Sequence, residues 1–116
     1  MNQYKNLKVW QKAVSLATDV YQATSSFPKE EMYGLTSQIR RSVVSIASNI
    51  AEGAGRNYQK EFGQFLSIAY ASSYELETQL LIANNLNYLT RPDFEKLESE
   101  LMEIQKMLFA LKQKQS

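Results

Sequence analysis

The segment from Leu35 to Arg56 restricts the possible folds of this chain more than any other stretch of its sequence. Its main apolar residues recur at three- and four-residue steps, the spacing of one face of an α-helix; they are Leu35, Ile39, Val43, Ile46 and Ile50. Four more apolar residues widen this face to roughly half of the helix circumference, beyond the ~100° of an ordinary surface helix; they are Val44, Ala47, Ala51 and Ala54. We therefore expect a helix that packs on two sides within a helical bundle.

Two glycines at the end of this segment predict where the helix stops. Gly53 and Gly55 can adopt the left-handed conformation that commonly ends a helix. The polar side of the same segment leaves two interpretations open. In the first, its small side chains let another helix approach closely. In the second, Asn49, Glu52 and Arg56 form a ligand site. Separately, the backbone from Gly53 to Arg56 could hold an anion, although a glycine-rich turn between helices is the simpler interpretation.

Several separated motifs of the chain resemble one bacterial protein family. The motifs are Phe27–Leu35 (FPKEEMYGL), Gln38–Arg41 (QIRR), Ser45–Gly53 (SIASNIAEG) and Ile68–Leu80 (IAYASSYELETQL). Their order and spacing are similar, from Leu7 to Leu111, to the proteins encoded in intervening sequences of bacterial 23S ribosomal RNA genes. The residues that we assign to the family motif are Gln38, Arg41, Ser45, Asn49, Glu52 and Gly53.

The resemblance implies a fold, an assembly and two kinds of partner. It implies an antiparallel up-down four-helix bundle that forms a ring-like homo-oligomer, typically a pentamer. A relative found in diversity-generating retroelements is a basic accessory protein that binds nucleic acid and a reverse transcriptase. No enzymatic activity is associated with the fold, so the resemblance implies a non-enzymatic protein.

The residue types present narrow the possible chemistry. The 116 residues fit a single domain, 1–116, and include neither cysteine nor histidine. The commonest general base and metal ligand is therefore missing, and pairs such as Glu100 and Glu103 lack the histidine of a di-iron motif. We expect no catalysis, no metal and no cofactor. No apolar run approaches the ~20 residues of a membrane span, and the first residues lack a signal-peptide core, so we expect a cytoplasmic protein without membrane contact.

Local signals divide the chain into four predicted helices. The predicted bounds are about 7–24, 29–53, 57–89 and 91–113. Pro28 separates the first two helices, and Asn57 is a plausible cap for the third. Thr90 and Pro92 give the strongest boundary signal, because Thr suits the capping position and Pro suits the first turn of the fourth helix.

The third predicted helix is apolar almost all round, which predicts contacts between copies of the chain. A bundle of this length covers about half of such a helix, so the remaining apolar surface favours a homo-oligomer built mainly from the first three helices. The candidate interface residues are Trp10, Val44, Ala51, Tyr70, Tyr74, Leu81 and Tyr88. Trp10 also fits a base-stacking position, although an anchor in the core or interface is the simpler interpretation.

The charge distribution leaves two functions open. The net charge is +1, with +3 up to Asn57 and −2 after it, which is a weak polarity for a nucleic-acid-binding protein. The candidate nucleic-acid contacts are Lys5, Lys8, Lys12, Arg40, Arg41, Arg56 and Lys60; the lysines are also typical of a solvated helix face. We predict an assembly or adaptor scaffold for a macromolecular partner. The alternative is an accessory protein that binds RNA or DNA, or a nucleic-acid-processing protein, through a weakly basic face of the ring.

Overall fold

Four α-helices account for most of the described chain. The structure, a computed structural model, describes residues 3–116, so positions 1 and 2 of the predicted domain lie outside the described residues. The helices are α1 (Lys8–Thr24), α2 (Leu35–Ala54), α3 (Gln59–Asn85) and α4 (Arg91–Gln113), with single 3-10 turns at Tyr4–Asn6 and Lys29–Glu31. Residues 3–116 contain no β-strand. The prediction of an all-α chain with four helices is confirmed.

The helices pack side by side, so that each one has two helical neighbours. α1 lies between α2 and α4, and α3 lies between the same two helices. Arg40, near the start of α2, contacts Thr24 at the end of α1. Likewise, the first half of α1 contacts the second half of α4, as in the ion pair of Lys12 with Glu103. One end of the molecule therefore collects the start of α1, the end of α2, the start of α3 and the end of α4.

The core lies between the four helices and is almost entirely aliphatic. Each helix contributes fully buried side chains, for example Leu16, Ile46, Leu76 and Leu101. Burial of each such side chain stabilises the fold by about 1.5–3 kcal/mol relative to exposure. The predicted stripe of α2 faces this core, because Ile39, Val43, Ile46 and Ile50 are all fully buried.

The second helix begins later than the predicted residue 29. Lys29–Glu31 forms a separate 3-10 turn, and α2 starts only at Leu35. The interruption lies at Gly34, whose backbone (φ −117°, ψ −113°) is not helical. The side chain of Glu31 then caps α2, since its Oε1 accepts a hydrogen bond from the Leu35 N–H at 3.1 Å. The capping carboxylate also suits the positive end of the helix macrodipole.

The third helix ends at Asn85, four residues before the predicted bound. Asn87 adopts a left-handed conformation (φ 62°). Its N–H donates to the Asn84 carbonyl, and the Tyr88 N–H donates to the Ala83 carbonyl at 2.9 Å. These two bonds are the Schellman pattern that closes a helix. The next start agrees with the sequence, because Thr90 Oγ1 accepts from the Asp93 N–H at 3.2 Å and Pro92 lies in the first turn.

The glycines near residue 54 have a different function from the predicted one. No glycine in residues 3–116 has a positive φ, and Gly55 follows α2 with φ −83°. Gly53 lies inside α2, where a Cβ atom would come within 2.6 Å of Phe65 Cβ. It is therefore required for the close approach of α3. The predicted cap at Asn57 is also wrong: α3 begins at Gln59, after Tyr58, without a side-chain cap.

Candidate interaction surfaces and the polar cleft

A polar cleft lies between α2 and α3 and brings together half of the family-motif residues. Its volume is about 440 Å³, and its lining residues are Gln38, Arg41, Ser42, Ser45, Glu75 and Gln79. Three of these, Gln38, Arg41 and Ser45, belong to the predicted motif. The other three, Ser42, Glu75 and Gln79, were not among the predicted site residues, because the pairing of α2 with α3 decides which side chains line the cleft.

Hydrogen bonds fix the inner end of this cleft. Ser45 Oγ and Ser72 Oγ lie 2.9 Å apart and join the two helices. Asn49 Nδ2 donates to the Ser45 carbonyl at 2.8 Å and to Ser45 Oγ at 3.0 Å. Ser42 is 6% exposed, and Gln79 Oε1 is a buried oxygen without a hydrogen-bond partner in residues 3–116.

The three residues of the alternative ligand site have partners within the chain. Asn49 bonds Ser45, as described above, and Arg56 Nη2 lies 3.4 Å from Glu52 Oε2. The Arg56 guanidinium also lies over the Phe65 ring, 4.7 Å from its centroid. These contacts give the residues a structural function, and a ligand at this position stays an untested prediction.

An apolar groove runs along α1 and α2 on the outside of the molecule. It has a volume of about 470 Å³, and its apolar lining residues are Val14, Ala17, Tyr21, Val44 and Ala47. Trp10 and Ala51 continue the same two helix faces by their spacing. We call these seven residues the α1–α2 surface. It contains three of the predicted interface residues, namely Trp10, Val44 and Ala51.

A second apolar surface lies on α3 and α4. Tyr70, Tyr74, Met102 and Phe109 line a groove of about 370 Å³, and Leu81 continues the face of the two tyrosines along α3. We call these five residues the α3–α4 surface. Tyr74 and Leu81 are about half exposed, at 49% and 50%. The hydroxyls of Tyr70 and Tyr74 lie 3.0 Å apart, and this hydrogen bond raises the pKa of Tyr74.

Two of the predicted interface residues make substantial contacts inside the chain. Tyr88 packs against Phe27 and donates its hydroxyl to Glu31 Oε2 at 3.0 Å, a bond that raises the pKa of Tyr88. Trp10 is half-buried and packs on the core, with Tyr4 edge-on at 5.0 Å between ring centroids. A contact of either residue with another copy remains a prediction.

The fold concentrates positive charge at one end of the molecule. Each helix can be divided near its midpoint, and we call residues 3–15, 47–72 and 102–116 the terminal half. This half carries eight Lys and Arg side chains and three Glu, for a net charge of +5, and the other half carries −4. Five predicted nucleic-acid contacts lie in the terminal half: Lys5, Lys8, Lys12, Arg56 and Lys60. Three further lysines join them, namely Lys106, Lys112 and Lys114.

The two remaining predicted contacts, Arg40 and Arg41, lie in the other half of the molecule. Arg40 packs within the chain: its Nε donates to Thr24 Oγ1 at 2.9 Å, and its guanidinium lies 4.5 Å from the Tyr21 ring centroid. Arg41 lines the polar cleft. The structure therefore does not gather all seven predicted cations on one face.

The described residues contain no cluster of three Asp or Glu residues that could hold a metal ion. Within residues 3–116, none of the helices combines the length and the hydrophobicity that a membrane span requires. The cytoplasmic location stays a prediction.

Taken together, the helices and surfaces define a small four-helix protein whose distinctive features are two apolar surfaces, a polar cleft and a basic end. The sequence model described as "23S rRNA-intervening sequence protein" matches residues 5–110, and the chain therefore belongs to this family. A similar solved structure is a protein of unknown function from the S23 ribosomal protein family of Bacteroides thetaiotaomicron. The two sequences are 26% identical. The structural match covers 89% of this chain and 96% of the chain of that protein, with a TM-score of 0.80. No curated protein matches the sequence.

Proposed function

We propose that the protein is a non-enzymatic homo-oligomeric scaffold, whose antiparallel bundles form a ring that serves as an adaptor for a macromolecular partner. The observation that carries this proposal is the presence of two separate exposed apolar surfaces. α1 is packed on α2 and α3 on α4, so the α1–α2 and α3–α4 surfaces lie on opposite sides of the four helices. Exposed apolar area of this kind is typical of interaction sites.

Two different surfaces favour a head-to-tail contact over a two-fold dimer. A two-fold interface uses the same surface on both subunits, whereas a head-to-tail interface joins two unlike surfaces and produces a ring when the rotation closes. The family resemblance implies five subunits. The polar cleft and the basic end would then remain accessible in every subunit for the partner.

A complementation experiment tests the head-to-tail contact. Val44→Glu places a charge on the α1–α2 surface, and Leu81→Glu places one on the α3–α4 surface. Each variant alone should be a monomer by light scattering, because a buried unpaired carboxylate is strongly unfavourable. An equimolar mixture should form a 1:1 dimer of about twice 13.3 kDa, since each variant retains one intact surface.

Ser15→Glu is the matched control, because Ser15 is an exposed α1 residue outside both surfaces. It should leave the mass of the assembly unchanged. A wild-type chain that is monomeric at micromolar concentration would contradict the proposal, and so would two variants that do not combine. The non-enzymatic part would be wrong if alanine at Glu52 or Arg56 abolished a turnover while leaving the assembly intact.

The basic end favours a second candidate function, the binding of RNA or DNA. Eight of the thirteen Lys and Arg side chains lie in the terminal half. A ring whose subunits point the same way would repeat this +5 charge on one face. Several lysines that contact phosphates would release counterions and make the affinity strongly salt-dependent.

Fluorescence anisotropy with a labelled single-stranded RNA tests this candidate across a salt series. Lys60→Gln together with Lys112→Gln should weaken binding and reduce the slope of log K against log salt by roughly 0.7 per lost phosphate contact. Arg91→Gln, in the half of net charge −4, is the control and should leave both quantities unchanged. Equal effects of the two changes, or no binding at about 0.15 M salt, would exclude the basic end as a nucleic-acid site.

A further inference from the structure

The polar cleft between α2 and α3 is lined mostly by polar side chains that have no side-chain partner within residues 3–116. The side chains of Arg41, Glu75 and Gln38 are solvent-exposed and make no hydrogen bond or ion pair with other residues in the range 3–116. Ser42 also makes no side-chain hydrogen bond there, although it is almost fully buried. Gln79 Oε1 is buried and unpaired. A buried polar atom such as Gln79 Oε1 is rarely left without a partner in native proteins, so this atom calls for an explanation.

The two walls of the cleft carry opposite charges that do not neutralise each other. Arg41 stands on α2 and Glu75 stands on α3, and neither takes part in the ion pairs found among the described residues. Elsewhere on the surface, nearby opposite charges do pair, as Arg91 does with Glu95 at 3.3 Å. The cleft therefore has a cation on one helix and an anion on the other, and the two do not form an ion pair.

We propose that this cleft binds a small zwitterion that carries one carboxylate and one ammonium group, in the chemical class of the amino acids. The Arg41 guanidinium, assisted by the Gln38 amide and the Ser42 hydroxyl, binds the carboxylate by charge-assisted hydrogen bonds. Glu75 accepts hydrogen bonds from the ammonium group. The Gln79 amide lies on the same wall as Glu75 and completes the polar lining.

The charge pattern disfavours ligands that carry a single charge. An anion attracted by Arg41 would be repelled by Glu75. A cation attracted by Glu75 would likewise be repelled by Arg41. The volume of about 440 Å³ lies within the range of small-molecule sites and leaves room for a side chain on the ligand. The proposal rests on the cleft of one subunit and does not require the ring.

A series of unbranched ω-amino acids tests the proposal, because it varies the distance between the two charges. Glycine, β-alanine, γ-aminobutyrate, 5-aminovalerate and 6-aminohexanoate are added to the full-length ¹⁵N-labelled protein, and amide chemical shifts are followed. At least one member should cause saturable shifts, confined to the cleft helices, below roughly 10 mM. Acetate and propylamine, which carry one charge each, should cause none at the same concentration.

Two conservative variants identify the groups that bind. Arg41→Gln and Glu75→Gln should each weaken binding of the best probe by about tenfold or more, the loss expected when a charge-assisted hydrogen bond is removed. Arg91→Gln and Glu95→Gln, which change an exposed ion pair on α4, should leave the affinity unchanged.

The proposal would be overturned by the absence of a saturable shift with any probe, by equal binding of acetate, or by affinity that survives Glu75→Gln. A change in the mass of the assembly upon Arg41→Gln or Glu75→Gln, without an effect on any probe, would assign the cleft to contacts between copies and would also overturn it. The complementation experiment on Val44 and Leu81 is independent of all these outcomes, so failure of the ring and failure of the cleft are distinguishable.

Discussion

α2 and α3 meet through small side chains, whereas α1 and α4 are joined at their edge by long charged ones. Between α2 and α3, a glycine faces Phe65, and two serine hydroxyls bond each other directly. Between α1 and α4, Lys12 Nζ lies 3.1 Å from Glu103 Oε1, with side chains that are 42% and 56% exposed. The packing of α2 against α3 therefore depends on the volume of each side chain. Between α1 and α4, the exposed ion pairs add little to the stability that the buried core provides.

The largest expected effect comes from enlarging the closest contact of the α2–α3 pair. Gly53→Ala should lower the free energy of unfolding by about 1–3 kcal/mol, because the new Cβ would meet Phe65 Cβ at 2.6 Å. Urea unfolding followed by circular dichroism, at one protein concentration, measures the change.

Gly63→Ala is the matched control for this substitution. A Cβ at Gly63 would lie 3.5 Å from Gln115 Cβ, which is an ordinary contact. Alanine has the higher helix propensity, so this change should stabilise the protein by up to about 1 kcal/mol. If both alanine variants were stabilised equally, the close approach at Gly53 would not limit the packing of α2 on α3.

The next effect concerns the hydrogen bonds of the α2–α3 pair. Ser45→Ala removes the hydroxyl that bonds Ser72 and Asn49, and it leaves the buried Ser72 hydroxyl without this partner. We expect a loss of about 1–2 kcal/mol in the free energy of unfolding, measured by urea unfolding. Ser48→Ala, one turn further at an exposed position, should stay within about 0.5 kcal/mol of wild type. Similar values for the two variants would show that the bond does not stabilise the pair.

On the α1–α4 side, the expected energies are smaller. A double-mutant cycle with Lys12→Met and Glu103→Gln isolates the coupling between the two charges. We expect a coupling below about 1 kcal/mol that decreases with added salt, because both side chains are exposed. A coupling as large as the loss at Ser45 would refute the contrast between the two helix pairs.

The smallest expected effect has the opposite sign. Burial, followed by the hydrogen bond and the charge of Asp19, raises the pKa of Glu100. A carboxyl group whose pKa is higher in the folded state contributes stability at pH values below its unfolded pKa, and this contribution is lost as the pH rises through the folded pKa. Glu100→Gln should therefore increase the thermal midpoint slightly at pH 7, by the equivalent of less than about 0.5 kcal/mol.

Thermal scans at several pH values check this prediction. The gain should shrink as the pH is lowered, because the raised pKa favours the protonated form of Glu100 in the folded wild type. A loss of stability at pH 7 would instead mean that attraction to Lys96 and Lys12, which lowers the pKa, outweighs the two raising effects.

Much of the fold could be predicted because its signals are local. The apolar spacing of α2 and the Thr90 cap are written in a few neighbouring residues, and the structure has both. The end of α3 also had a local signal, the asparagine at position 87, although the apolar residues beyond it suggested a longer helix. The steric requirement for glycine at position 53 could not be predicted in the same way, because Phe65, which a Cβ atom there would meet, lies on another helix.

The candidate sites depended even more on tertiary structure. The sequence suggested Arg41 as a nucleic-acid contact, but the pairing of α2 with α3 sets it opposite Glu75 in a cleft. Lys112 and Lys114 were not among the predicted nucleic-acid contacts, yet the fold brings them to the same end as Lys5 and Lys60.

The sequence by itself determined the helical class, the approximate position of four helices and the family motifs, because helix periodicity and capping are properties of residues a few positions apart. Only the tertiary structure decided which helix faces adjoin, and with them the polar cleft, the two opposite apolar surfaces and the charge of +5 at one end. Those features join residues far apart in the chain. Because successive helices run in alternating directions, charges that nearly cancel over the whole sequence are separated between the two ends of the molecule.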